Sequence, residues 1–498
     1  MTGSPRVRLD AFGTGARAAL EALARMLGPE RQAWVVGGAV RDALAGGGPG
    51  DLDIAVPSGA VALARELADL LGAAFHVLDA ERGAGRISGG GEHDWKGPQI
   101  DIADFRAPGL IGDLRGRDFT VNALAIAVRP LVAAGEADVD DPTGGRDDLQ
   151  ARTVRLCAPR SLEDDPVRVL RAARFGAQPG WRLDPALEGA ARSIAPALSR
   201  ASAERVRDEI LAMLAGPASA AGLRLLDRWG ALEVLLPEGE AMKGTTQPEP
   251  HRFDVWEHSL RAVEGADLLA ARVSELEPWG EALAGHLGEP LGDGATRREA
   301  LKLAALLHDV AKPDTRTVED GRTRFLGHDV LGAQRVFAIA ERLRLSGRMT
   351  GVLERLVRHH LRPMHLARSG AVSRRARYRF FRDLGDDARD LLLLALADAA
   401  ALRGDSPLAV WGGPEGRIVR ELMAGHAEEV AALAAPPLLD GRDAMEALGL
   451  PPGPEIGRLL RLLREAQAVG AVTTREAALA YIRRMRDHPP LDTSEPAP

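Results

Sequence analysis

The chain has 498 residues, 45% of them hydrophobic, 27% charged and only 4% aromatic, so roughly three or four domains are expected, with cores of Leu, Ala and Val that suit packed helices. One cysteine, Cys157, excludes an intramolecular disulfide and a cysteine-based zinc site, and a net charge of −7 gives no overall pull toward nucleic acid. The first twenty residues hold no signal-peptide core, and the apolar run "LLLLALADAAAL" is broken by Asp398, so a cytoplasmic chain with no membrane partner is expected. In chain order, "GARAALEALARMLG" reads as a helix closed by Gly28 and Pro29. "AWVVGG" is a short buried strand, "AVRDALAG" a helical turn, and "DLDIAV" the next strand. "SGAVALARELADLLG" is an amphipathic helix with Ser58 as its N-cap. "AAFHVLD" and "QIDIADFR" read as strands flanking a Gly-rich hairpin at 83–98, and the turn-rich "DPTGGRDDL" at 141–149 as a connection to the next domain. From about residue 150 the pattern is helical, with 237–250 and 284–297 as linkers or insertions. The fold class expected is therefore α+β, a small mixed sheet followed by a long all-α remainder.

Charge is unevenly spread. Only Lys96, Lys243, Lys302 and Lys312 are lysines, so 60 of the 64 basic residues are arginine. Residues 341–382 hold twelve arginines against two acids, Glu341 and Glu354, an excess that reads as a phosphate-facing stripe.

Several short motifs carry chemistry. Gly37 and Gly38 follow a strand and precede a helix, where bare backbone N–H groups approach phosphate, and Arg41 lies one turn in. Asp51 and Asp53 alternate with Leu52 and Ile54, so both carboxylates share one strand face; such a pair is a Mg²⁺ ligand set that bridges to substrate phosphates. Asp101, between Ile100 and Ile102, is a candidate third acid. "DLRGRDFTVNALAI" packs Arg117, Asp118 and Asn122 together. In "SLEDDPVRVLRAARF", Asp165 suits the N-cap and Pro166 the first helical position. Arg168, Arg171 and Arg174 follow Asp165 at i+3 steps, offering one helix face with an acceptor and three guanidinium groups. An Asp beside an Arg can bond the Watson–Crick edge of a base, and further arginines can clamp phosphate.

"GGAVRD", "DLDIAV", "GRDFTVNA", "EDDPVRVLRAARF" and "SAERVRDEI", in this order, resemble the class II CCA-adding tRNA nucleotidyltransferase and bacterial poly(A) polymerase family. "LRLLDRWGALEVLLPE" and "LLDGRDAMEALGLPPGPEIGRLLRLL" extend the resemblance over most of the chain. The resemblance implies addition of C, C and A to tRNA from CTP and ATP without a nucleic-acid template. It implies Asp51 and Asp53 as Mg²⁺ ligands, with Asp101 as the third catalytic carboxylate. Gly37, Gly38 and Arg41 would form the triphosphate turn, Asp165 and Arg168 the base-reading pair, and Arg117, Asp118, Asn122, Arg171 and Arg174 further nucleotide contacts. Two positions depart from the family: Gly116 stands where an arginine is frequent, and Asp164 where Glu is usual.

The second half concentrates histidines. A His–Asp step inside the apolar "LKLAALLHDVAK" is costly to bury unless a metal or partner satisfies it. His258, His308–Asp309 and the distant Asp398 resemble the four ligand positions of an HD phosphohydrolase domain; His328 and His360 match the extra histidines of members with a second ion, and His359 stands where Asn is frequent. Imidazole and carboxylate donors suit Mn²⁺, Co²⁺, Ni²⁺ or Zn²⁺, with Mg²⁺ as another candidate. Such a centre on a tRNA-modifying chain would remove a 3′-phosphate or 2′,3′-cyclic phosphate that blocks addition. The expected organisation is a catalytic head at 1–150, a helical neck and body at 151–245, an HD domain at 246–405 and a helical tail at 406–498. Alternatives within the same chemistry are a poly(A) polymerase or an enzyme adding only CC or only A. An alternative of another class is an HD phosphohydrolase whose N-terminal domain only binds RNA.

Overall fold

Polar–apolar alternation sets the plan of the N-terminal sheet. The computed structural model describes residues 6–28, 30–90, 94–368 and 370–488; Pro29 and residues 91–93 of the Gly-rich segment lie outside the described residues. The chain forms two compact units, Met1–Glu209 with Ala221–Leu235, and Ile210–Ala220 with Leu236–Pro498. In the first, helix α1 (Gly13–Met26) leads to β1 (Trp34–Val36), α2 (Gly38–Leu44), β2 (Asp51–Val56), α3 (Ala60–Leu71), β3 (Ala74–Asp79), β4 (Ala84–Ser88), β5 (Gln99–Asp104) and β6 (Ala125–Ala127). The strands form one sheet in the order β3-β4-β5-β2-β1-β6, with β2 and β5 parallel and the other neighbours antiparallel. The mixed sheet expected from the sequence is present.

One face of this sheet is apolar. Leu52, Ile54, Ile87, Ile100 and Ile102 are each at most 2% exposed and share a core with Leu20 and Leu23 of α1 and Leu63 and Leu67 of α3. Each such burial contributes about 2 kcal/mol relative to exposure. Because successive strand residues alternate sides, Asp51, Asp53, Asp101 and Arg86 fall on the opposite face.

The structure corrects four sequence expectations here. The Gly-rich segment at 83–98 contains a strand, β4, that pairs with both β3 and β5. Ser58 does not cap α3; the cap position is Gly59, and Asp104 Oδ1 accepts from Ala60 N at 2.8 Å. That carboxylate arrives from β5, 44 residues on, which no local pattern signals. The 141–149 stretch is more than a connection: Gly145–Gln150 is helical, Asp141 accepts from Gly145 N and Arg146 N, and Asp148 accepts from Thr120 Oγ1 at 2.6 Å. The helical pattern after 150 is interrupted by short strand pairs at 153–154 with 182–183, 290–292 with 295–296, and 316–319 with 322–325.

Further along lie helices α4 (Arg168–Gly176) and α5 (Ala203–Ala215). The second unit is helical, with α6 (Val255–Arg272), α7 (Arg297–Leu307), α8 (His328–Arg342), α9 (Gly347–His359), α10 (Arg374–Leu384), α11 (Ala388–Arg403), α12 (Arg417–Ala434) and α13 (Pro454–Ala468) prominent among its elements. The stretch 284–297 is built into this unit: His286 is 2% exposed and meets Asp390 at 2.9 Å, while a β-hairpin follows it. The arginine-rich 341–382 stretch is not a free stripe. Eight of its twelve arginines (342, 355, 362, 374, 375, 377, 379 and 382) pair with acids outside it: Glu238, Asp383, Asp387, Glu428, Glu429 and Glu465. Counting charge along the chain misses these partners because half of them come from α12 and α13. No described helix is long and apolar enough to cross a membrane.

Candidate active site and metal centre

The carboxylates of the head lie in one row across the sheet. Asp53 on β2 is in register with Asp101 on β5, and Asp101 with Arg86 on β4. In-register neighbours have Cβ atoms about 5 Å apart. Arg86 grips Asp101 through both Nε and Nη2 at 2.8 Å, which raises the guanidinium's pKa. Asp51 and Asp53 have no hydrogen bond or ion pair among the described residues. Burial, then the charge of Asp101, pushes the Asp51 carboxyl up; burial also raises Asp53, against the opposing charge of Arg117.

The glycine turn stands over this pair. Gly37 has φ 69°, a conformation that glycine tolerates and other residues resist. A Cβ there would sit 3.0 Å from Arg117 Nη1 and 3.4 Å from Asp53 Oδ2. Gly37, Gly38, Asp51 and Asp53 line a 480 Å³ cavity with Arg41, Arg117, Asp118, Asn122, Arg171 and Arg174. A network fixes its far wall. Arg41 donates to Asn122 Oδ1 at 2.7 Å, Asn122 to Asp118 Oδ1 at 3.1 Å, and Arg171 to Asp118 Oδ2 at 2.9 Å. Burial alone would raise the Asp118 carboxyl, but Arg171 and the hydrogen bonds hold it below the usual range. Glu209 on α5 then holds Arg171 at 2.9 Å and Arg174 at 3.0 Å. Two carboxylates without a hydrogen bond or ion pair among the described residues, the space left by Gly37 and the surrounding guanidinium groups fit a cation with a polyphosphate.

The arginine row of α4 does not present a single face to one ligand. Three residues turn a helix through about 300°, so each i+3 step drifts about 60°. Arg171 and Arg174 line the cavity of the paired acids, whereas Asp165 and Arg168 line another, of 720 Å³. Arg168 donates to Ser161 O and Gly116 O, both at 3.1 Å, and Asp165 pairs with Arg205 at 2.5 Å. Regular helix begins at Arg168, two residues later than Pro166 implied, although Asp165 Oδ1 still accepts from Val167 N at 3.3 Å.

In the second unit the histidines and aspartates converge. His258 on α6, His308 at the end of α7 and Asp398 on α11 form one ligand group; Asp309, His328 at the start of α8 and His360 at the end of α9 form another. His258 Nε2 lies 3.3 Å from His308 Nε2 and 3.0 Å from Asp398 Oδ1. Asp309 joins the groups: Oδ2 is 3.1 Å from His308 Nε2, and Oδ1 is 3.4 Å from His328 Nε2 and 3.6 Å from His360 Nε2.

Helix ends aim these rings. Nδ1 of His308, His328 and His360 donates to the carbonyl three residues earlier, of Ala305, Phe325 and Val357, at 2.9, 2.6 and 2.7 Å. For His308 and His360 those carbonyls belong to a last helical turn that lacks an intrahelical partner. The bond fixes the tautomer and turns each Nε2 lone pair inward. The buried Asp309 carboxylate is held by charge, with Oδ2 2.6 Å from the Lys312 ammonium and Oδ1 turned toward His328 and His360. Burial would raise Asp309; the charges of His308 and Lys312 instead hold it well below the ordinary value. Burial likewise opposes the imidazolium of His308, but Asp309 and Asp398 push its pKa up to about 9. A buried carboxylate facing converging imidazoles fits divalent metal.

Some contributors escaped sequence reasoning. Arg86 sits in the segment read as a Gly-rich hairpin. Glu209 and Arg205 lie within "SAERVRDEI", where an acid and an arginine at i and i+4 look like an ordinary solvated helix face. Lys312, 2.6 Å from Asp309 Oδ2, follows the His–Asp step by three residues, a spacing that marks it in retrospect. His359 is half-buried, and neither ligand group includes it.

Comparison with known proteins agrees with this architecture. The chain matches a poly A polymerase head domain at residues 33–155, a probable RNA- and SrmB-binding site of polymerase A at 180–243, and an HD domain at 255–402. An A-adding tRNA nucleotidyltransferase of Deinococcus radiodurans is 38% identical over 465 residues, covering 92% of this chain and 96% of that protein. A CC-adding tRNA nucleotidyltransferase of Thermus thermophilus is 36% identical over 463 residues, covering 91% and 93%. A CCA-adding enzyme of Thermotoga maritima, solved with tRNA, shares the fold with a TM-score of 0.60 at 19% identity over 96% of this chain and 97% of that one. With the head, the RNA-binding segment and the HD domain in that order, the chain belongs to the tRNA nucleotidyltransferase family.

Proposed function

We propose that the protein completes the 3′ end of tRNA by adding CMP, CMP and AMP from CTP and ATP. The observation that carries this reading is the pair Asp51–Asp53, without a hydrogen bond or ion pair among the described residues, under the Gly37 turn in a cavity walled by Arg41, Arg117, Arg171 and Arg174. Asp51 and Asp53 would hold Mg²⁺, which when bound supplies the positive charge for phosphoryl transfer. Gly37, Gly38 and Arg41 cradle the triphosphate, and Arg117, Arg171 and Arg174 neutralise its charge. The RNA 3′-hydroxyl oxygen bonds to the α-phosphorus as its proton passes to water, and pyrophosphate departs with the electrons of the broken P–O bond. Asp101, gripped by Arg86, keeps a third charge beside Asp53 without competing for its position. Asp165 and Arg168 present an acceptor and a donor to the incoming base. Asp118, Asn122 and Glu209 hold the arginines. In Asp51→Ala, nucleotide transfer to tRNA should fall at least about 1,000-fold; survival unchanged would remove the reading.

A second reading, addition of the terminal A alone, is favoured by 38% identity to the A-adding relative along 92% of the chain. It predicts AMP transfer to tRNA ending in CC and no CMP transfer to tRNA lacking all three nucleotides.

The HD centre would hydrolyse a phosphate ester at the RNA 3′ end. His258, His308, Asp309 and Asp398 would hold one ion and His328 and His360, with Asp309 shared, a second; Mn²⁺, Co²⁺, Ni²⁺, Zn²⁺ and Mg²⁺ are the candidates. Asp309, with one oxygen toward each group, would serve both ions.

A further inference from the structure

The 720 Å³ cavity beside Asp165 gathers arginines from separate parts of the chain: Arg82 between β3 and β4, Arg106 after β5, Arg168 on α4, Arg200 before α5 and Arg205 on α5. Its five arginines outnumber its three acids, Glu163, Asp164 and Asp165, and Arg82 also meets Asp79 at 3.7 Å. Asp165 is shared by Arg205 at 2.5 Å and Arg168 at 3.8 Å, and Glu163 pairs with Arg160 at 3.2 Å. Arg106 and Arg200 have no side-chain hydrogen bond and no carboxylate within ion-pair distance among the described residues. The Arg106 guanidinium pKa is lowered, by burial first and then by Arg117 and Arg168 with Arg82 adding, against Asp113. Like charges assembled from distant segments repel, so the arrangement is stable with an anion among them.

The proposed reaction has two polyanions. The triphosphate has its own cavity, with Gly37 and Arg41, Arg117, Arg171 and Arg174. The remaining polyanion is the RNA backbone, whose phosphates arginine contacts through its fork of N–H donors. Arg168 connects the two places, since it lines the larger cavity while donating to Gly116 O, next to Arg117 of the smaller one.

We propose that Arg82, Arg106, Arg200 and Arg205 form a seat for phosphodiesters near the 3′ end of the RNA, which sets the last nucleotide beside the base-reading pair. The inference rests on the nucleotidyl-transfer reading. It assigns to this wall a positioning task that needs no base identity, because phosphate contacts fix register and carry no sequence.

The test is equilibrium binding of tRNA lacking its CCA end, without nucleotide, between 50 and 200 mM salt. Arg106→Ala and Arg200→Ala should each weaken binding about tenfold and lower the salt slope by about 1. Arg106→Lys, which keeps a point charge without the fork, should recover part of the loss. ATP and CTP affinity, measured in parallel, should be unchanged. Arg200 is exposed, so its variant tests the seat even where Arg106→Ala folds poorly. Unchanged RNA affinity in both alanine variants overturns the inference, and so does weakened ATP or CTP binding with intact RNA binding, which would make the wall part of the triphosphate site. A parent protein that binds tRNA through these arginines yet transfers no nucleotide would instead overturn the nucleotidyl-transfer reading.

Discussion

Gly37 shows how much chemistry one missing side chain carries. Its φ is 69°, and a methyl group on its Cα would lie 3.0 Å from Arg117 and 3.4 Å from Asp53, so alanine fits only if the Arg117 guanidinium gives way. Gly37→Ala should cost about 1–3 kcal/mol in backbone strain. It should also lower kcat/KM for nucleotide transfer by about 10- to 100-fold, as expected when a catalytic group shifts by a fraction of an ångström. Steady-state rates of the purified variant check this, and parental kcat/KM would contradict it. The glycine pair, Asp51, Asp53 and the His–Asp step were legible because their chemistry is local in sequence. The place of Asp309 between the two ligand groups was not, since it depends on His328 and His360, 19 and 51 residues further on.

At the scale of elements, Lys302 on α7 is the clearest buried device. It is 1% exposed and donates to Leu214 O, Gly216 O and Ser219 Oγ, at the end of α5, while pairing with Asp267 at 2.9 Å. Those carbonyls lack intrahelical partners, and the ammonium satisfies them from another helix. Lys302→Ala would leave the buried Asp267 charge without its ammonium, with only Ala220 N still donating to it, so a loss of about 3–5 kcal/mol is expected in urea unfolding; a loss below about 1 kcal/mol would contradict this. In sequence, Lys302 was one of four lysines and looked unremarkable inside an apolar helix. The same reason hid the Asp104 cap of α3 and the partners of the arginine-rich stretch. Helices and strands were readable from periodicity, but which distant charge meets which depends on tertiary packing. The arginines of α4 were readable as a row, while their division between two cavities follows from the 60° drift of an i+3 series.

For the whole molecule, the mixed head and the helical remainder were legible from composition and pattern, and the motif order already resembled the family to which the chain belongs. The paired carboxylates and the His–Asp centre fall in different compact units. The two chemistries should therefore separate genetically. His308→Ala, or removal of divalent metal from the HD centre, should abolish hydrolysis of a 2′,3′-cyclic phosphate assayed with Mn²⁺, Co²⁺ or Ni²⁺. The same variant should keep nucleotide transfer within about twofold, whereas Asp53→Asn should do the reverse. Hydrolysis equal in His308→Ala and the parent would leave the centre a structural one. The most direct measurement is single-nucleotide incorporation. tRNA lacking CCA, and tRNA ending in CC, are each given CTP, ATP, GTP or UTP alone with Mg²⁺. Two CMP on the first RNA and one AMP on the second, both lost in Asp53→Asn, is the predicted result; long adenosine tracts without cytidine, or incorporation that survives Asp53→Asn, would contradict it.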